Sequence, residues 1–176
     1  MKFLSNESVT KHKTYLNELK LKRSVLYKSY PEIANKSIAS VYRSPLSRRQ
    51  KEYAFALLSE IKLHEIYFHS FSDVFTPCPF VVNSFGSEAN FLYEVAALAT
   101  DKKTGFIVIT CDKQRGVDFF LDEGFTSPDF YKNAILAVDL WEHAYFDDYG
   151  FDRKKYLTRA LSCLDFNKIN VFLEKT

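Results

Sequence analysis

The apolar residues of this chain change their period beyond Gly105, and that change constrains its fold more than any other feature. From about Arg48 to Phe71, Ala54, Leu57, Leu58, Ile61 and Ile66 recur at helical spacing, the stripe of a long amphipathic helix. Beyond Gly105 the pattern turns continuous. Phe106-Ile107-Val108-Ile109-Thr110 reads as a buried strand, Asp112-Lys113-Gln114-Arg115-Gly116 as a turn, and Val117-Asp118-Phe119-Phe120-Leu121 as the returning strand of a hairpin. Ala134-Ile135-Leu136-Ala137-Val138 reads as a third strand. Helical signals flank these strands. Ser5 or Asn6 can cap a first helix running to about Leu26, with Val9, Leu16 and Leu19 loosely in period. Pro31 and Glu32 open a second helical piece through about Tyr42, and Ser87 or Gly86 caps a helix from Glu88 to about Thr100. Two or three short helices close the chain, with Tyr156, Leu157, Ala160, Leu161 and Leu164 on one face. Helices first, then a helix, three strands and more helices define an α+β pattern. Residues 72–84, rich in Ser, Thr and Pro, read as a linker, dividing the chain into residues 1–76 and 77–176.

Composition narrows the class. A chain of 176 residues can bury a real core, and five Gly with five Pro argue against a many-turned all-β protein. No apolar run approaches the ~20 residues that cross a bilayer. The opening Met1–Glu7 lacks the apolar stretch of a signal peptide, so a cytoplasmic location is expected. Cys78, Cys111 and Cys163 form no CxxC pair and are expected to be reduced and structural. The net charge of +2 conceals a division. Residues 1–63 carry thirteen Lys/Arg against five Asp/Glu, and residues 64–176 carry eleven against seventeen. A basic half can attract anions, although a solvated helical face gives the same count.

The candidates for chemistry are few. There is no P-loop, GxGxxG, GxSxG or RNA-recognition signature. The four histidines are His12, His64, His69 and His143. Asp139 and His143 stand four apart, where the third strand gives way to the next helix. A carboxylate and an imidazole at that spacing can converge on a metal, and such pairs are also common on surfaces. His64, beside Leu63, Ile66 and Tyr67, reads equally as a core histidine, and His12, between Lys11 and Lys13, as a solvent-facing one. His69 lies near a helix C-terminus, where positive charge is favoured, and has no assigned role.

Asp139-Leu140-Trp141-Glu142-His143-Ala144-Tyr145 closely resembles the Asp-x-Trp-Glu-His-Ala-(Tyr/Phe) signature of the iron/manganese superoxide dismutases. Ser84-Phe85-Gly86-Ser87, Gly105-Phe106, Asp148-Tyr149 with Tyr156-Leu157, Leu63-His64 with Tyr67-Phe68, and Leu4-Ser5 through His12 are similar to further segments of that family. The likeness is weakest at residues 20–55. The resemblance implies an N-terminal antiparallel helical hairpin followed by an α/β domain with a three-stranded antiparallel sheet. It implies one Fe or Mn ion on His12, His64, Asp139 and His143, disproportionation of superoxide to dioxygen and hydrogen peroxide, and a homodimer formed through Glu142 beside His143. It also sets membrane and nucleic-acid partners aside, although the basic half keeps a structural, RNA-binding module on the same fold as a competing reading. A metal-binding, non-dismutating sensor is a third.

The same resemblance exposes departures. Lys11-His12-Lys13-Thr14-Tyr15 is also similar to a family segment about eight residues further along the family's first helix, which would place Glu7 at the ligand position and Tyr15 beside the site. The ungapped stretch from Leu4 favours His12, and then Leu16 and Lys20 replace a His and a Tyr of the family. Phe146 replaces the Tyr that bonds this His across the dimer, so both members of one hydrogen-bonded pair are absent. Where the family has Gln or Gly, four residues before the second His, this chain has Glu60, which donates a hydrogen bond only when protonated. Phe125 falls at the alternative Gln position. Glu60, Tyr15 and Trp141 are therefore the expected residues around the metal, with Glu60 either tuning it or ligating it.

Overall fold

The computed structural model describes residues 1–99, 104–124, 128 and 130–175. Two long helices dominate the first half, α1 (Asn6–Ser29) and α3 (Arg48–His69), with the short α2 (Ile38–Tyr42) between them. Local chemistry sets their starts. The Ser5 side chain accepts from Ser8 N, and Ser47 and Gln50 form a reciprocal capping box at α3. The second helical piece expected from Pro31 to Tyr42 is broken. A single 3-10 turn at Pro31–Ile33 stops short of α2, and Asn35 between them has a positive φ of 61° that a continuous helix excludes.

The segment expected as a linker carries a helix, α4 (Pro79–Phe85), followed by α5 (Glu88–Leu98). Pro79 begins α4, where its fixed φ suits a helix start, and Glu88 Oε1 accepts from Cys78 N at 2.7 Å, tying the two helices together. Ser87 is the N-cap of α5, and the expected end at Thr100 lies outside the described residues.

The sheet follows the sequence expectation. Strands β1 (Phe106–Asp112), β2 (Gly116–Asp122) and β3 (Ala134–Asp139) are antiparallel in the order β2-β1-β3. The central β1 buries Phe106 through Ile109 without alternation, because both sheet faces are covered. Phe106 pairs with Asp139, which fixes where β3 delivers its last side chain. Gly105 has φ 118°, and a Cβ there would run into the Asp122 carbonyl. Helix α3 packs on β3. Ser70 Oγ accepts from Ala137 N at 2.7 Å on that strand's free edge and donates to Ile66 O at 2.8 Å. Three short helices end the chain, α6 (Phe146–Tyr149), α7 (Arg153–Leu161) and α8 (Asn167–Glu174).

Two apolar clusters result. One joins the sheet and its covering helices to Phe55, Leu63, Ile66 and Tyr67 of α3. The other, around Leu19, Leu26, Ile33, Val41, Leu57 and Ile61, belongs to the helix pair. No helix among the described residues is long and apolar enough to cross a membrane.

Candidate metal centre

Four separate segments deliver side chains to one point. Ser8, His12, Leu16 and Leu19 form the buried stripe of α1, so His12 faces inward and is 1% exposed. Its solvent-facing reading is therefore corrected. Flanking lysines mark the opposite face of a helix and say nothing about the face between them. His64 lies on the inner face of α3 with no exposure. Asp139 ends β3, also fully buried, and His143 follows in a 3-10 turn, Glu142–Ala144, with its side chain 33% exposed.

The ligating atoms of these four residues all lie within 4.8 Å of one another. Asp139 Oδ2 is 3.1 Å from His12 Nε2, 3.3 Å from His143 Nε2 and 3.5 Å from His64 Nε2. The approach of His12 Nε2 to Asp139 Oδ2 lacks hydrogen-bond alignment, and both atoms are buried without a partner. His64 Nε2 and His143 Nε2 face each other at 3.3 Å. His64 Nδ1 is 2.8 Å from the Glu60 carbonyl, which can only accept, so Nδ1 carries the proton and the Nε2 lone pair points into the cluster. Orphaned buried nitrogen and oxygen atoms, aimed at a common centre, are what a cation would satisfy. The donor set of three imidazoles and one carboxylate fits a first-row transition metal.

The surroundings hold this arrangement. Trp141 N donates to Asp139 Oδ1 at 2.8 Å, and the Tyr156 hydroxyl donates to the Asp139 carbonyl at 2.7 Å. Burial pushes the Asp139 carboxyl up, but the contacts from His12 and His143 outweigh it and leave the group below the usual carboxylate range. Burial lowers His64, which favours the neutral, ligating form. The His12 ring packs against Tyr67 and Phe68, each with centroids 4.9 Å away.

The two registers of the first helix, alternatives in the sequence, are partly reconciled here. Glu7 is exposed and pairs with Lys11 at 3.0 Å, away from the cluster. Tyr15 nevertheless lies beside it, its ring 4.6 Å from His143, because residues 12 and 15 share a helix face. The Tyr15 hydroxyl donates to Glu60 Oε1 at 2.5 Å. Burial and that carboxylate both raise the Tyr15 pKa, so the phenol keeps its proton. Glu60 is directed to Tyr15 and is not among the four converging residues. Leu16 joins the apolar cluster of the helix pair, and Lys20 pairs with Glu65 at 3.0 Å. Phe125 lies outside the described residues. A cavity of about 280 Å³ adjoins the cluster, lined by Tyr15, Glu60, Phe106, Trp141 and His143. Tyr156 stood out in the sequence only as part of a family-like Tyr-Leu pair, and its bond to Asp139, seventeen residues away, had no signal there.

This fold and site define a helix-pair and three-stranded-sheet protein with a candidate mononuclear metal centre. A family model described as iron/manganese superoxide dismutases, C-terminal domain, matches residues 79–171. The chain is also similar to the protein named superoxide dismutase [Fe] of Rhodobacter capsulatus, 33% identical over 86 residues. That match covers 48% of this chain and 43% of the relative, so it spans less than half of that protein's length. The chain belongs to the iron/manganese superoxide dismutase family. Asp139 and His143 fall within the family match, whereas His12 and His64 lie outside it and are brought to them by the fold.

Proposed function

We propose that His12, His64, Asp139 and His143 bind one Fe or Mn ion and that the chain disproportionates superoxide to dioxygen and hydrogen peroxide. The observation that carries this reading is the convergence of four ligand atoms within 4.8 Å, two of them buried and without partners. The residues divide between the proposed units 1–76 and 77–176, two from each, so a bound ion would also clamp the units together. The ion supplies the one-electron redox chemistry. The Glu60 carbonyl holds the proton on His64 Nδ1 and leaves Nε2 free to ligate. The Trp141 amide and the Tyr156 hydroxyl orient the Asp139 backbone and carboxylate. Phe106 and Trp141 narrow the adjoining cavity, and Tyr15 keeps a proton at its hydroxyl oxygen beside it.

Glu60 sets the rate in this reading. Its carboxyl group lines the cavity that an anionic substrate must enter, and Tyr15 fixes it there. Slow turnover with firm metal binding follows. The exposed Trp141, Glu142 and Phe146 form the face through which a second copy would dock, as a homodimer. Chain reconstituted with iron or with manganese tests the proposal. One equivalent of metal and superoxide consumption above free metal are expected. Consumption no faster than free metal overturns the enzymatic reading, and loss of the metal on desalting overturns the site.

A further inference from the structure

The most basic stretch of the chain, residues 20–51, contributes no side chain to the candidate metal centre. Nine Lys/Arg and a single Glu fall between residues 20 and 51, so this stretch alone carries the +8 of residues 1–63. It is also the part least similar to the family by motif. A cleft of about 410 Å³ lies at this end of the helix pair. Four cations from four segments line it: Arg23 of α1, Lys36 ahead of α2, Lys62 of α3 and Lys132 ahead of β3. Among the described residues, none of the four side chains makes an ion pair or hydrogen bond. Glu65 also lines the cleft, but Lys20 binds it at 3.0 Å. The floor is apolar, with Leu58 and Ile61 buried and Ile38 partly so.

Like charges gathered around an apolar floor repel one another, and a cleft lined by one sign concentrates its field on whatever enters. A multiply charged anion removes the repulsion. Arg offers a planar fork and Lys a point charge, both suited to phosphate oxygens. Convergence from four segments on one cleft favours a compact ligand over an extended strand, which would need cations spaced along a face. The apolar floor accommodates a ring or chain attached to the phosphates. We propose that this cleft binds a phosphorylated small molecule of the nucleoside triphosphate class, its phosphates held by Arg23, Lys36, Lys62 and Lys132. The proposal uses none of the metal ligands.

The full chain is titrated calorimetrically at about 0.15 M salt, where diffuse surface attraction is largely screened. The probes are ATP, inorganic triphosphate and a single-stranded oligonucleotide. One ATP per chain is expected, with triphosphate binding more weakly. Lys36→Glu and Lys62→Glu, both at exposed positions, should each weaken ATP by about tenfold or more. Lys28→Glu and Lys51→Glu change the net charge equally but lie outside the cleft, and should weaken it by less than about twofold. Circular dichroism and metal content confirm that each variant is folded. Absence of saturable ATP binding, equal losses in all four variants, or binding of the oligonucleotide alone overturns the proposal. Equal affinity for ATP and triphosphate overturns the role given to the floor.

Discussion

The two ends of the α1/α3 pair are made from the same helices and do opposite things. At the sheet end, α1 and α3 bury His12, whose ring nitrogens lack hydrogen-bond partners, and His64, held by the Glu60 carbonyl, and bring both close to Asp139. At the far end they bury Leu19, Leu26, Ile33, Val41 and Ile61 and turn their cations outward. The difference shows how one helix can carry a site and a scaffold in series. An unsatisfied buried imidazole costs stability, and apolar burial further along the same helices offsets that cost. The far end holds the pair together, and the near end gathers a donor set that could hold an ion.

That division can be broken or sharpened in order of expected effect. Asp139→Asn removes the one negative ligand and should weaken metal binding more than ~100-fold, beyond the range seen for outer hydrogen-bond partners. Elemental analysis after gel filtration reads this directly. If the variant retains a full equivalent, the sheet end is not the metal site. Leu19→Ala, deep in the far cluster, should destabilise the chain by about 2–3 kcal/mol in urea unfolding. The metal content of the folded fraction should not change, and a parallel loss of metal would show that the two ends are not separable.

Smaller effects refine the sheet end. Glu60→Gln keeps an acceptor for the Tyr15 hydroxyl, removes the ionisable group and supplies an amide donor. Superoxide consumption by the metal-loaded variant should rise by about tenfold at unchanged metal content. A fall in metal content instead would identify Glu60 as a ligand. The smallest effect concerns the tie between the start of α1 and the loop after the site. Asp148 Oδ2 accepts from Ser5 N at 2.8 Å. Burial pushes the Asp148 pKa up, but bonds from Ser5 and Ser8 outweigh it and lower the group overall. The unfolded chain therefore takes up this proton first as the pH falls. The contribution is complete above the ordinary carboxylate value and is lost as the pH drops through the lower folded value. Asp148→Asn should flatten the unfolding midpoint of the metal-free chain slightly between pH 5 and pH 2. An unchanged slope would show that this bond adds nothing measurable.

The strands were legible because Phe106–Thr110, Val117–Leu121 and Ala134–Val138 are short runs rich in apolar residues, the last continuously so. The helix hidden in the supposed linker was not. Pro79 and the polar residues around it carry a turn signal, and only the bond from Cys78 N to Glu88 and the burial of Val81 show why a helix forms there. The Asp139 and His143 pair was visible as a spacing and, with its neighbours, as a family signature. Tyr15 and His12 looked like rival readings because a one-dimensional register admits one alignment at a time. A helix face places residues three apart side by side, and the site draws on both.

The sequence by itself determined the order of helices and strands, the family signature and the chemistry available to a chain with only four histidines. The family resemblance also implied that residues 12, 64, 139 and 143 meet, whereas tertiary structure alone decided that Tyr15 closes on Glu60 and that four cations from distant segments share one cleft. Periodicity is a local property, set by neighbours on one element. Convergence depends on how helix faces and strand ends are oriented after packing, and no window along the chain contains that information.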